Sequence, residues 1–273
     1  MGREAHAARA GGISVRVTAV GLAISFGALV AAAPSVAADI QVFTSGAPAA
    51  VQKRLAPAFE KATGHKVDVT AETLNNIRKR LAGDAKPDVV VLARAALMPF
   101  QKSGALRPST LVDLARTGIG VVVKEGAPVP DISTVDALKK TLLNAKSIAH
   151  PDPKGGGFTG AYIDRMFERL GIADQVRPKV VLMYAFTGGV ANIAKGGAEI
   201  GLFNISEIVP IKGVKLVGPL PAEQQNYLVF SGALHVRGES PEPAAAYLRS
   251  LTEPAAHEAW KAGGFEVLTA AGN

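Results

Sequence analysis

The sequence predicts an α/β fold built as two lobes, each a mostly parallel sheet flanked by helices. Three observations predict it. From Asp39 onward, short apolar runs alternate with longer segments of helical periodicity, and a repeated strand–helix order calls for parallel strands joined by crossover helices. One of the runs, "PDVVVLA" at 87–93, is almost continuously apolar, which suits a strand covered on both faces. The alternation restarts near residue 117 with no low-complexity linker and no fixed-period repeat, so a second lobe has to be reached through short crossover strands. That arrangement suits a hinge.

The first 38 residues stand apart from this pattern. Arg3, Arg9 and Arg16 precede an uncharged stretch from Val17 to Ala33, followed by Pro34 and the small residues Val36-Ala37-Ala38 before Asp39. This is the build of a secretory leader cleaved after Ala38, and it implies a periplasmic destination. A membrane anchor is the competing reading, because the uncharged run approaches the shortest span. The alanine, glycine and serine that dilute it, and the cleavage site behind it, favour the leader. No cysteine follows the cleavage site, so the chain is not a lipoprotein.

The elements after the leader follow in order. "IQVFTSG" reads as a strand ending in a turn. "APAAVQKRLAPAFEKATG" is a helix with Val51, Leu55, Ala58, Phe59 and Ala62 at helical spacing and Gly64 as its stop. "HKVDVTAE" is a strand, and "TLNNIRKRLAGDAK" a helix with Leu74, Ile77 and Leu81 on one face. "PDVVVLA" is the third strand and "ALMPFQKSGAL" a short helix. The second block opens at "TGIGVVVKEG". Ser133 is the expected N-cap of "STVDALKKTLLNA", with Asp136 three residues on. "KSIAH" is a strand, a glycine-rich loop follows, and "GAYIDRMFERLG" is a helix stopped by Gly171. "KVVLMYAF", "TGGVANIAKGG" and "AEIGLFNISEIV" repeat strand, helix, strand. "GVKLVGPLP" and "QNYLVFSGALHV" read as strands, and one or two helices end the chain.

Composition narrows the function classes. The chain has 273 residues, which is enough to bury a core without disulfides, and no cysteine, which excludes disulfides, thiolate metal sites and thiol catalysis. The 30 basic and 23 acidic residues fall to 27 and 22 once three arginines and one glutamate leave with the leader, a net of +5. The charges are scattered and aromatics make up 5% of the chain, unlike the clustered cations and stacking platforms of nucleic-acid binders. A mildly basic exported protein can draw an anionic ligand by its long-range field, although a solvated basic surface explains the same balance.

The wording of several segments carries a resemblance. "IQVFTSGAPAAVQKRLAPAFEKATGHKV", "RLAGDAKPDVVVLA", "GALRPSTLVDLARTGIGVVVKEGAP", "AEIGLFNISEI" and "PAAHEAWKAGGFEVL" are similar to the molybdate-binding-like branch of the periplasmic solute-binding proteins of ABC importers. The likeness runs from about Asp39 to Leu268. It implies a type II-like binding-protein fold: lobe 1 over 39–120 and 226–273, lobe 2 over 121–225, two crossover strands between them, and one anion in the cleft. It also implies a membrane permease as partner, a monomer, and no cofactor or metal.

The binding positions implied by the resemblance fall on four loops: Thr44-Ser45-Gly46-Ala47, Glu72-Thr73-Leu74-Asn75, Phe158-Thr159-Gly160, and Phe186-Thr187 together with Asn204. Two serines and a tyrosine of the molybdate pattern are missing, which favours an organic carboxylate or another small anion over molybdate. Arg94, just after a strand, is a candidate partner for a carboxylate. Physical chemistry supports the same loops independently. Helix N-termini carry unpaired N–H groups and a partial positive charge, and ligands of open α/β sheets sit at the carboxyl ends of strands. For Ser45 and Thr159, a plain turn or N-cap role stands as the alternative.

Gly155-x-Gly157-x-x-Gly160 resembles a dinucleotide fingerprint. However, Pro151-Asp152-Pro153-Lys154 separates it from its strand, and three glycines match easily in a chain with 29. The glycines are read instead as letting backbone approach a compact anion, with Lys154 at the rim. His65, His150, His235 and His257 lack metal-ligand spacing, and no Gly-x-Ser-x-Gly elbow supports a hydrolase. Two further hypotheses remain. The same branch also resembles aconitate isomerase, a reaction that moves an allylic proton and needs a positioned base; His150, Tyr184 and Glu207 are the titratable candidates, with Tyr184 otherwise core and Glu207 otherwise facing solvent or the hinge. A structural module of the envelope would instead show no stabilisation by ligand.

Overall fold

A computed structural model describes residues 37–155, 157–183 and 188–268. Nearly all of the expected leader lies outside those residues, as do Tyr184, Phe186 and Thr187. The first run of elements is β1 (Asp39–Thr44), α1 (Gly46–Thr63), β2 (Lys66–Ala71), α2 (Leu74–Ala82), β3 (Val89–Ala93) and α3 (Arg94–Lys102). Next come β4 (Val112–Thr117) and β5 (Ile119–Lys124), then α4 (Val135–Asn144), β6 (Ile148–Pro151), α5 (Phe158–Arg169), α6 (Ala173–Val176) and β7 (Val180–Met183). The chain continues through α7 (Gly189–Ala194), β8 (Ile200–Asn204), α8 (Ile205–Ile208), β9 (Val214–Pro219) and β10 (Leu228–Leu234), and ends with α9 (Pro241–Ser250), α10 (Pro254–Ala262) and β11 (Glu266–Val267).

The strands form two sheets flanked by helices, a six-stranded one in the order β11-β4-β10-β3-β1-β2 and a five-stranded one in the order β7-β6-β8-β5-β9. Each sheet has a parallel nucleus made by crossover helices, β2-β1-β3 in one and β7-β6-β8 in the other. Antiparallel strands complete both: β10 pairs with β3 and β4, and β5 pairs with β8 and β9. The strand β4 was not expected, since Asp113 and Arg116 interrupt its apolar pattern; its ladder with β10 is what holds it extended.

Local chemistry explains most boundaries. Gly64 ends α1 in the left-handed region at φ 77°, where a side chain is disfavoured. The N-cap of α4 is Thr134, whose hydroxyl accepts from Ala137 N at 3.1 Å. The expected cap, Ser133, is instead drawn into an Asx turn: its N–H and its hydroxyl both donate to Asp131 Oδ1, at 2.9 and 2.7 Å. All five residues of β3 are buried, as its apolar run requires. In β5 the two faces separate residue by residue: Val121 and Val123 pack with Leu138, Ile163 and Phe167, while Val122 packs with Val190, Phe203 and Ile208. The core under the larger sheet gathers Phe43, Val90, Leu97, Tyr247 and Trp260.

The chain passes between the sheets twice, at Gly118 and through residues 220–227. One side chain clasps the two crossings. Gln225 Oε1 accepts from Ile119 N at 2.7 Å, and Gln225 Nε2 donates to Ile119 O at 3.0 Å. A Cβ on residue 118 would lie 3.0 Å from the Gln225 amide, so glycine lets the clasp close.

Candidate functional site

A cavity of about 540 Å³ lies at the carboxyl ends of strands from both sheets. Ser45, Gly46 and Ala47 enter from the β1–α1 junction, Thr73 and Leu74 from β2–α2, and Ala93 and Ala96 from β3–α3. Across the cleft, Gly157, Phe158 and Thr159 enter from β6–α5, Gly188 and Gly189 open α7, and Asn204, Ser206 and Glu207 come from β8–α8. Leu92, Phe203, Leu228 and Phe230 make much of the apolar wall.

Among the described lining residues there is no lysine, arginine or histidine. The positive end of the field therefore comes from backbone. The first turns of α1, α2, α3 and α5, helices of 18, 9, 9 and 12 residues, all reach the cavity, and each presents N–H groups with no intrahelical partner. Ser45 precedes α1 in extended backbone, and its hydroxyl makes no capping bond. Thr73 both lines the cavity and caps α2, its hydroxyl accepting from Asn76 N at 3.2 Å.

The second-lobe wall carries a linked polar group. Thr159, buried at the start of α5, donates its hydroxyl to Asn204 Oδ1 at 3.0 Å, and Asn204 Nδ2 donates to Glu207 Oε1 at 3.2 Å. Glu207 Oε2 is enclosed and has no hydrogen-bond partner, and the same is true of the neighbouring Ser206 hydroxyl. Burial pushes the Glu207 carboxyl up to about 7, against the opposing pull of the Asn204 side-chain and backbone hydrogen bonds. Glu207 thus lines the cavity, as its place among the titratable cleft candidates expects, rather than taking the solvent or hinge position of its other reading. Ser206 was missed altogether; the signal was present in "NISE", a polar pair directly after a strand end. Asp152, which also lines the cavity, accepts from Lys154 N at 2.8 Å and was likewise not singled out as a site residue.

The structure brings Ser45, Gly46, Ala47, Thr73, Leu74, Phe158, Thr159, Asn204 and Glu207 together at this cavity and places Thr44, Asn75, Arg94, Lys154 and His150 outside its lining. Thr44 is buried behind the loop, its hydroxyl accepting from Gln52 Nε2 at 3.0 Å. Asn75 is exposed on α2. Arg94 pairs with Asp113, to which Ser231 also donates. Lys154 is exposed and outside the lining. Gly155 and Gly157 line the cavity, but Gly160 has a packing role: a Cβ there would sit 2.1 Å from the Pro151 carbonyl oxygen, so its absence lets α5 press onto the end of β6. His150, in β6, is fully buried and outside the cavity lining, with Nδ1 2.9 Å from Pro151 O, Nε2 3.3 Å from Asp164 Oδ1 and its ring against Phe167. Burial holds its pKa below the ordinary histidine value, opposed by the Pro151 carbonyl and Asp164. Tyr184 and Thr187 lie outside the described residues.

Two mixed sheets joined by two crossings, with one cavity at the facing strand ends, are the architecture of a two-lobe solute-binding protein. The chain belongs to the bacterial extracellular solute-binding protein family, whose model matches residues 40–266. Among its relatives is the aconitate isomerase of a Pseudomonas species, 34% identical over 252 residues that cover 89% of this chain and 94% of the relative. The molybdate-binding protein ModA of Escherichia coli K12 is 26% identical over 253 residues, covering 90% of this chain and 96% of that one. The solved periplasmic molybdate-binding protein of Azotobacter vinelandii superposes with a TM-score of 0.68 at 18% identity, covering 84% of this chain and all of the other, a likeness of fold.

Proposed function

We propose that the chain is the exported substrate-binding component of an ABC importer, holding one small organic carboxylate between its lobes and presenting it to a membrane permease. In this reading the lobes are 39–120 with 226–273, and 121–225, the leader is removed after Ala38, and the mature chain works in the periplasm as a monomer. The observation that supports it most is the convergence of strand-to-helix junctions from both sheets on one cavity with no basic side chain among its described lining residues. Amide and hydroxyl donors hold an anion by bonds weaker than ion pairs, which suits a guest that has to be released. Ser45, Gly46, Thr73, Phe158, Thr159 and Asn204 are the proposed contacts. A carboxylate is favoured over a compact oxyanion because the cavity is within the size range of organic-ligand sites and largely apolar in its walls.

A thermal-shift screen of the mature chain tests this reading, with molybdate, tungstate, sulfate, phosphate and di- and tricarboxylates as candidate ligands. At a hundredfold excess over Kd, binding adds about 2.7 kcal/mol, a rise of roughly 5–10 °C for a chain of this size. The expected hits are di- or tricarboxylates; no shift with any anion defeats the proposal.

A second reading is favoured by two observations, the aconitate isomerase relative and the partner-free carboxyl oxygen of Glu207 in the cavity. An isomerase of that type moves a proton between carbons of trans- and cis-aconitate, and Glu207, raised to about 7, is suited to carry one near neutral pH. The absorbance change of aconitate separates the readings: turnover that Glu207→Gln abolishes places the isomerase first, whereas binding without turnover leaves the receptor.

A further inference from the structure

We propose that Ser206 and Glu207 form the subsite for one carboxylate of the guest, and that the guest is bound together with a proton carried on Glu207. This rests on the reading that the guest is a carboxylate. Ser206 is 4% exposed, its hydroxyl oxygen and Glu207 Oε2 both lack partners, and both residues line the cavity. Native folds rarely leave buried polar atoms unpaired, and two on adjacent residues facing one cavity call for a ligand.

The backbone at this point is already committed. Ile205 N donates to Gly118 O at 2.9 Å and Ser206 N donates to Thr117 Oγ1 at 3.1 Å. The start of α8 is therefore tied to the crossing, and what it offers the cavity is side-chain oxygen. A serine hydroxyl and a carboxylic acid are both O–H donors, and a guest carboxylate accepts from both. An ionised Glu207 would instead set two carboxylates against each other, and such pairs hold one proton between them. The balance is simple: the Glu207 carboxylate takes one proton from solvent as the guest arrives, shares it with the guest's carboxylate oxygen, and returns it on release. The pKa of Glu207, raised by burial to about 7 in the ligand-free protein, is consistent with this.

Surrounding charges do not supply that proton's counterpart. Of the strands packed on α8, β8 carries no titratable residue, β5 carries Lys124 and β9 carries Lys215. Both lysines are exposed and lie at the ends remote from Asn204, because Ile119 is the residue paired with Asn204 and Val123 the one paired with Lys215. Lys212, in the turn after α8, is exposed. Near Gly264, which abuts Ile205 and Ser206, Lys261 pairs with Glu258 and Glu266 with Arg116. Asp152, directly after β6 in the same sheet as β8, also lines the cavity.

The test uses the mature chain and propane-1,2,3-tricarboxylate, which is saturated and cannot undergo an allylic proton shift, titrated between pH 7 and 9, where the probe is ionised. Its Kd is expected to rise by roughly tenfold for each pH unit once Glu207 is ionised in the ligand-free protein. Calorimetry at pH 8.5 in two buffers of different ionisation enthalpy should register uptake of about one proton. Glu207→Gln should bind with a Kd that stays flat over this range, and Ser206→Ala should bind more weakly at every pH with the wild-type slope. A flat wild-type Kd without proton uptake overturns the inference and leaves the carboxylate receptor standing. Failure of every carboxylate while molybdate or tungstate binds, or failure of every anion, overturns both. Should Glu207→Gln not fold, the proton count on the wild-type chain decides.

Discussion

Replacing Glu207 with glutamine should stabilise the ligand-free protein, and only towards neutral and alkaline pH. The wild-type carboxyl is raised by burial from its usual 4.5 to about 7. At about 1.4 kcal/mol per pH unit, that displacement corresponds to ~3 kcal/mol. The sign follows from linkage. A group whose folded pKa lies above its unfolded value contributes fully below the unfolded value and loses that contribution as pH rises through the folded one. Glu207 therefore imposes almost no penalty at pH 4.5, a growing one between 4.5 and 7, and the full ~3 kcal/mol above that. Glutamine keeps the acceptor for Asn204 Nδ2 and never ionises. Thermal unfolding of both chains without ligand should show a small gap at pH 5 that widens to roughly 6–12 °C at pH 8. A gap of the same size at every pH, or a variant less stable than wild type at pH 8, refutes the reasoning, since either means that ionisation of Glu207 is not what the fold resists.

Gly160→Ala should lose at least ~2 kcal/mol in urea unfolding, because its Cβ meets the Pro151 carbonyl at 2.1 Å and backbone on both sides resists the shift; Gly157→Ala, whose Cβ meets nothing within 4 Å, is the near-neutral control. Gln225→Ala removes both bonds to Ile119 and should lower stability by about 2 kcal/mol without changing the urea m-value, a change in m indicating that the crossings separate rather than merely loosen. His150 is held below its ordinary pKa of 6.5 by burial, so its contribution is present above 6.5 and is lost as pH falls below it; His150→Asn should be weaker at pH 8 yet show a shallower decline on the acid side, as measured by Tm against pH.

Much of this protein was legible in its sequence. Alternating apolar runs and helical periodicity gave the α/β class because the physical cause is local: backbone geometry imposes a period of two or of 3.6 on whatever side chains are to be buried. The same holds for the stop at Gly64, and for the junctions where Ser45, Thr73 and Thr159 stand, since small hydroxyl residues favour the turn from a strand end into a helix start. Thr44, Asn75 and Arg94 occupy equally suitable positions in the sequence, but the fold gives them other partners or a solvent face. Gln52 reaches Thr44 across two turns of helix, and Asp113, on a strand the sequence did not reveal, captures Arg94.

Only the tertiary structure decided which polar groups would be left unsatisfied. In the sequence Ser206 and Glu207 read as the tail of the strand segment "AEIGLFNISEIV"; the structure ends β8 at Asn204 and ties α8 to the crossing at Thr117 and Gly118, chain segments nearly ninety residues earlier. Likewise Gly160 reads as one letter of an anion loop until α5 is seated against Pro151. Periodicity and capping are short-range properties that a linear string contains, whereas desolvation and partnerlessness depend on everything packed around an atom and come into being when distant segments close over it.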